Sequence, residues 1–323
     1  MEAGFPCEIV DLSFIYMLTE FFDNYAAYEY PLTTVQLFLA MLGMGALLTP
    51  KDFLLEVKNP RGLFVGLGFQ WMLVPMIAFA LGELLPIPAG IAVGLIFVAA
   101  APGGTMSNIL TLFGRGNIAL SIALTSIATV AALVSTPLLL KLLAADFLPD
   151  DFSMPVGSIA LDILGALIAP LLLGMLFRFK SDALLAAHFA KWMIRLSMLM
   201  ILIIVVGASG SGRLSFDKYG VTGIVTLVIF ALLVQLSSLL AGKILGLAKG
   251  DTLAISVEAT FRNIALVVAV KAIVFPAQTG VLDPIGDAVL FVAFLYGGIS
   301  MFMTMVPVLL HRNLSKKTMI NIA

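Results

Sequence analysis

Charge is what this sequence has least of. Asp, Glu, Lys and Arg make up 11% of its 323 residues, less than half the roughly 25% of an ordinary soluble domain. Apolar residues make up 61%, and the mean hydropathy of +1.11 leaves too little polar material to clothe a water-soluble globule of 34.3 kDa. A single cysteine, Cys7, excludes an internal disulfide and a thiolate metal cluster. Two histidines, His188 and His311, exclude a His-rich metal centre. Eighteen basic against nineteen acidic residues leave a net charge of −1 and no basic stripe for a phosphate backbone, so no nucleic acid partner is expected. The start of the chain has no basic n-region followed by an apolar run, so no cleavable signal peptide is expected either.

Long apolar runs are what the chain has in abundance. The stretch 1–31 is cut by Glu8, Asp11, Glu20 and Asp23 and reads as an extracytoplasmic, interfacial segment rich in Phe and Tyr. After it come nine segments long enough to cross ~30 Å of hydrocarbon, at about 32–49, 62–84, 88–113, 117–143, 156–178, 193–210, 220–241, 252–275 and 287–311. The expected fold is therefore an all-α polytopic membrane protein with nine transmembrane helices in the lipid bilayer. Lys51, Lys58, Arg61, Arg115, Arg178, Lys180, Lys191, Arg195, Lys243, Lys249, Arg312, Lys316 and Lys317 fall in alternate loops and the 312–323 tail. The positive-inside rule puts that side in the cytoplasm, with the N-terminus outside, in a plasma membrane or a bacterial inner membrane. An odd number of spans satisfies the same orientation.

Two segments carry interruptions. The third contains Pro102-Gly103-Gly104-Thr105-Met106-Ser107-Asn108, in which proline removes a backbone donor and two glycines favour unwinding. The eighth contains Glu258-Ala259-Thr260-Phe261-Arg262-Asn263 between apolar flanks. Ionisable groups at that depth cost several kcal/mol unless paired or facing water, and most often mark an ion or substrate path. The plain alternatives are a proline kink in one helix and a buried Glu258–Arg262 pair along one face of the other. Segments three and eight lie five apart and so run in opposite directions, as inverted repeats relating segments one to four with six to nine require. Interrupted helices at matching places in two halves point to a midplane transport site. Ser107 and Asn108 follow the first break, and Ser121 and Thr125 stack on one face of segment four. With Glu258 they would supply the oxygen ligands that a hard cation such as Na+ prefers. Helix–helix glue is the ordinary alternative for the two hydroxyls.

The run from Pro102 to Asn108, followed by Gly114-Arg115-Gly116-Asn117 and Leu120-Ser121, resembles the bile acid:sodium symporter family. So do Met44-Gly45 with Asp52-Phe53, Phe69-Gln70 with Pro75, and Glu258 with Asn263. That resemblance implies a panel domain (32–61 and 156–210) and a core domain (62–143 and 220–311) holding two crossed, discontinuous helices. It implies a first sodium site at Ser107, Asn108, Ser121, Thr125 and Glu258. A second would lie at Gln70, Glu258, the backbone of Ala259 and Phe261, and position 262, with Thr105 and Asn263 facing substrate. The family pattern usually has glutamine at 262, whereas this chain has Arg262, a donor that cannot ligate a cation. Either Arg262 replaces the second sodium, or it swings into the cavity to pair with an anion.

Half-helix N-termini at the crossing favour a negatively charged cargo. The expected function is sodium-coupled symport of an organic anion, bile-acid-like or a small carboxylate, by alternating access. A proton-coupled or sodium-independent carrier and a channel are the alternatives. No enzyme is expected: Gly207-Ala208-Ser209-Gly210 lies at a segment end, far from either histidine. No obligate protein partner is evident.

Overall fold

The computed structural model describes residues 12–49, 60–104, 106–214, 216–278, 281 and 283–320. Described residues form helices joined by short turns, with isolated two-residue bridges as the only β pairing among them. The helices are α1 (Leu12–Asp23), α2 (Tyr25–Gly45), α3 (Arg61–Leu84), α4 (Ala89–Ala100), α5 (Met106–Phe113) and α6 (Ile118–Leu143). They continue with α7 (Val156–Lys180), α8 (Ala183–Gly210), α9 (Phe216–Ile244), α10 (Lys249–Thr260), α11 (Ile264–Val274) and α12 (Pro284–Ile320). Six of them, α3, α6, α7, α8, α9 and α12, contain stretches long and apolar enough to cross a membrane. The third and eighth segments fall short of that length because each is split in two: α4 with α5, and α10 with α11. The chain is accordingly a multi-pass membrane protein.

Local chemistry sets the helix limits. Asn117, Asp182 and Asn263 each accept a bond from the backbone N–H three residues on, capping α6, α8 and α11. Pro102 ends the run that α4 begins, since proline cannot supply the next ladder bond. Two π-turns, Phe69–Leu73 in α3 and Ile163–Ile168 in α7, were not anticipated. Each lies just before a proline, Pro75 or Pro170, whose missing N–H frees a carbonyl and lets the ladder shift register.

Several boundaries differ from the sequence expectation. Helix α2 begins at Tyr25, not near 32, so Glu29 stands inside a helix at 0% exposure and is not part of an interfacial stretch. Helix α8 begins at Ala183 instead of 193, and α12 runs on to Ile320, beyond 311, because no breaker separates the last apolar turn from the basic tail.

Packing holds α3 to α6 and α9 to α12 together, with α12 against α4 and α9, α9 against α10, and α5 and α6 against α10. Helix α2 lies between α7 and α8. Its approach to α7 is so close that a Cβ on Gly45 or Gly174 would overlap the facing backbone. α2 also touches α11, and α7 touches α6 and α11.

Candidate functional site

The two breaks meet. Pro102 and Arg262 lie in extended segments that pass antiparallel to each other, with Gly103 bridged to Arg262. Gly104 N donates to Phe261 O at 3.1 Å and Asn263 N donates to Pro102 O at 2.9 Å. Backbone groups freed by the two interruptions thus satisfy one another inside the protein, as a lipid surround demands. Glu258 and Arg262 are therefore not zipped along one helix: the chain leaves helical geometry at Phe261 between them. No ion pair within 4.0 Å joins the two.

Beside the crossing, α5, α6 and α10 bring together all five residues expected at the first cation site. Thr125 Oγ1 donates to Glu258 Oε1 at 2.5 Å and lies 2.9 Å from Ser121 O and 3.4 Å from Asn108 Oδ1. Ser121 Oγ is 2.8 Å from Asn108 Oδ1 and 3.5 Å from Glu258 Oε2. Ser107 Oγ donates to Gly104 O at 2.6 Å and lies 3.5 Å from Thr125 Oγ1. Ser107, Ser121, Thr125 and Glu258 are at most 1% exposed. The seven oxygen–oxygen approaches are served by only three hydroxyl protons, so the cluster holds more lone pairs than hydrogens. Lone pairs left over in this way are ones that a hard cation fits. All the donors are hard oxygen, which fits Na+. Among the described residues no group of three His, Cys, Asp or Glu gathers for a softer metal. Gly103 is obligatory here, because a Cβ would overlap the Glu258 carboxylate.

The residues expected at the second cation site are partly brought together around Arg262, which is 1% exposed. Its Nη2 donates to Ala99 O at 2.6 Å and lies 3.4 Å from Gln70 O, while Nη1 lies 3.4 Å from Gln70 Oε1 and Nε 3.4 Å from Val98 O. Gln70 sits in the first π-turn, and its Oε1 also accepts from Gly103 N at 3.2 Å. Ala259 is buried in the last turn of α10, and the Phe261 carbonyl is taken by the bridge. The carbonyls of Val98 and Ala99 were missed from sequence, since a backbone oxygen leaves no mark in residue type.

Asn263 is 6% exposed, with its Oδ1 committed to the N-cap of α11 at 3.1 Å. Thr105, the other expected substrate-facing residue, lies outside the described residues. An apolar cavity of about 450 Å3 opens beside the crossing, between α2 and α8 on one side and α11 and α12 on the other. Phe261, Ile264 and Ala265 form its wall at the crossing, and Thr33, Gln36 and Ser209 are its polar lining. Thr33 Oγ1 is spent on its own helix and Gln36 Nε2 on Ser197. The two histidines lie elsewhere, His188 against Trp192 and His311 against Gly114 O.

A second buried polar group, also missed, spans α2, the turn after α8, α11 and α12. Lys271 Nζ lies 2.5 Å from Glu29 Oε1, and Arg213 Nη1 lies 3.4 Å from Glu29 Oε2 and 3.7 Å from Asp287 Oδ1. Each of these residues stands near the end of an apolar run, where charge is ordinarily interfacial. Only the early start of α2 brings Glu29 to them.

Known proteins resemble this chain in the same terms. An uncharacterised sodium-dependent transporter of Bacillus subtilis (strain 168) is 40% identical over 157 residues, 48% of either chain. A probable sodium/metabolite cotransporter of Arabidopsis thaliana, chloroplastic, is 34% identical over 248 residues, covering 72% of this chain and 57% of that protein. A sodium-dependent organic anion transporter of Rattus norvegicus is 27% identical over 250 residues, 76% of this chain and 66% of that one. The aligned part spans about half the length of the first two relatives, 48% and 57%. These relatives are named as transporters and none as an enzyme. The profile of the sodium bile acid symporter family matches residues 34–216, more than half of the sequence, and the chain belongs to that family.

Proposed function

We propose that this protein is a sodium-coupled symporter of an organic anion, with one sodium bound by Ser107, Asn108, Ser121, Thr125 and Glu258. The observation that carries the proposal is the proton-poor oxygen cluster that joins α5, α6 and α10. Its ligands come from both sides of the crossing, so a bound cation ties the two interrupted segments into one body. Coupling follows, because the cargo-facing N-termini of α5 and α11 belong to the same two segments. Nine spans result when α2 and each split pair cross once, with α2, α7 and α8 as a panel against which the remaining core moves.

Arg262 supplies the second positive charge covalently. Its guanidinium sits among Gln70 Oε1 and the carbonyls of Gln70, Val98 and Ala99. A free cation there would stand against a like charge at about 4 Å, a repulsion of roughly 4 kcal/mol at an effective dielectric of 20. Every nitrogen of the guanidinium has an oxygen partner in this buried cradle, which argues against a swing into the cavity. The cargo then binds with its apolar body in the 450 Å3 cavity and its anionic group toward the α11 N-terminus, near Asn263, with Thr105 proposed as a further donor.

Uptake into proteoliposomes tests the reading. A panel of radiolabelled organic carboxylates should enter with an imposed inward sodium gradient and not with potassium, and Glu258→Gln should abolish the difference. Uptake driven equally well by a proton gradient in potassium would overturn sodium coupling.

A further inference from the structure

Beyond the lining of the cavity beside the crossing lies the buried quartet of Glu29, Lys271, Arg213 and Asp287. Each member is within four residues of a cavity-lining residue: Glu29 of Thr33, Lys271 of Val268, Arg213 of Leu214, Asp287 of Phe291. Exposures are 0% for Glu29, 1% for Lys271 and Asp287, and 5% for Arg213. The four charges sum to zero, and they divide evenly between the two packing groups. Glu29 on α2 and Arg213 after α8 stand on one side, Lys271 on α11 and Asp287 on α12 on the other. Contacts across the seam are Glu29–Lys271 at 2.5 Å and Arg213–Asp287 at 3.7 Å. Arg213 Nη2 also crosses it, to Gln278 O at 3.2 Å.

We propose that this quartet is a charge-exchanging latch that seals one end of the cargo cavity and lets the two bodies separate there without stranding a charge. The division of charge carries the inference. When the seam parts, Glu29 and Arg213 leave together, already 3.4 Å apart, as a neutral pair. Lys271 and Asp287 remain together on the other side, where their opposite charges likewise cancel. Both Asp287 oxygens are buried with no hydrogen-bond partner among the described residues, so closing leaves Asp287 short of donors and opening relieves that shortage. A seam of apolar side chains would close more firmly but gain nothing from hydration on opening. The latch rests on the two-body carrier reading above and adds to it a named closing element.

Distances between spin labels test it. Cys7→Ser, Ser211→Cys and Val281→Cys place one label on each side of the seam, and pulsed electron–electron resonance in lipid nanodiscs reads the separation. Glu29→Gln leaves Lys271 unpaired and should raise the long-distance fraction relative to the short by about tenfold or more, the consequence of removing one partner from a buried pair. Glu29→Leu with Lys271→Met keeps the quartet's charge balanced and should act in the opposite sense, depleting the long-distance fraction and stopping uptake while the protein stays folded. Should the single variant not fold, the double variant still decides: a long-distance fraction and uptake equal to wild type would overturn the latch. Wild-type uptake is measured alongside. Absence of sodium-driven uptake would reject the carrier reading, whereas uptake with distances indifferent to either substitution would reject the latch alone.

Discussion

Glycine 103 and arginine 262 carry opposite lessons about what single residues reveal. Gly103 announces itself in Pro-Gly-Gly, and the structure gives the reason: its α-hydrogen faces the Glu258 carboxylate with no room for a methyl group. Gly103→Ala should therefore push Glu258 off the oxygen cluster and remove the thermal stabilisation that sodium confers, read as the melting shift between sodium and potassium buffers. Retention of the full shift would mean that Glu258 is not a ligand. Arg262 is conspicuous as a mid-span charge, and Gln70 Oε1 was an expected neighbour, but its other partners are backbone oxygens of Val98, Ala99 and Gln70 that sequence cannot display. If the guanidinium stands in for a second cation, Arg262→Gln should raise the number of sodium ions moved per cargo from one to two. Reversal potentials of cargo flux at set sodium gradients measure that number, and an unchanged value would refute the substitution.

Helices α4–α5 and α10–α11 were legible as interrupted elements for different reasons. The first contains residues that break helices; the second contains none, and only Glu258, Arg262 and Asn263 at mid-span betray it. Asn263 does its structural work as the cap of α11. Asn263→Ala should lower stability by about 1 kcal/mol, whereas Asn263→Asp should keep the cap; thermal melting without cargo separates them. Equal melting temperatures for the alanine variant and wild type would contradict the capping role. The π-turns in α3 and α7 were not legible beyond the prolines that follow them, because a shifted ladder changes no residue type. Helix α2 starts earlier than its apolar run suggests, because its first turns carry Tyr25, Tyr28, Glu29 and Tyr30, which dilute the apolar signal. The ionic quartet is invisible in sequence for the same reason, since Glu29 is its centre.

In the molecule as a whole, side-chain oxygens from three helices converge beside a crossing of two broken ones, and an apolar cavity lies between α2 and α8 and α11 and α12. The membrane class, the interrupted segments and the five clustered oxygens all followed from residue type and spacing, because burying charge in lipid is costly enough to leave few explanations. The cavity and the seam did not, being properties of how distant helices pack. Sodium binding should stiffen the crossing specifically: amide hydrogen exchange at 102–104 and 261–263 should slow in sodium, with the tips of α2 and α8 little changed. Uniform slowing would point to general stabilisation instead. The decisive experiment is calorimetric titration of sodium into purified protein held in potassium, for wild type and Glu258→Gln. One saturable sodium per chain in wild type and none in Glu258→Gln is the expected result. No saturable binding in wild type, or binding undiminished by Glu258→Gln, would contradict the proposed cation site.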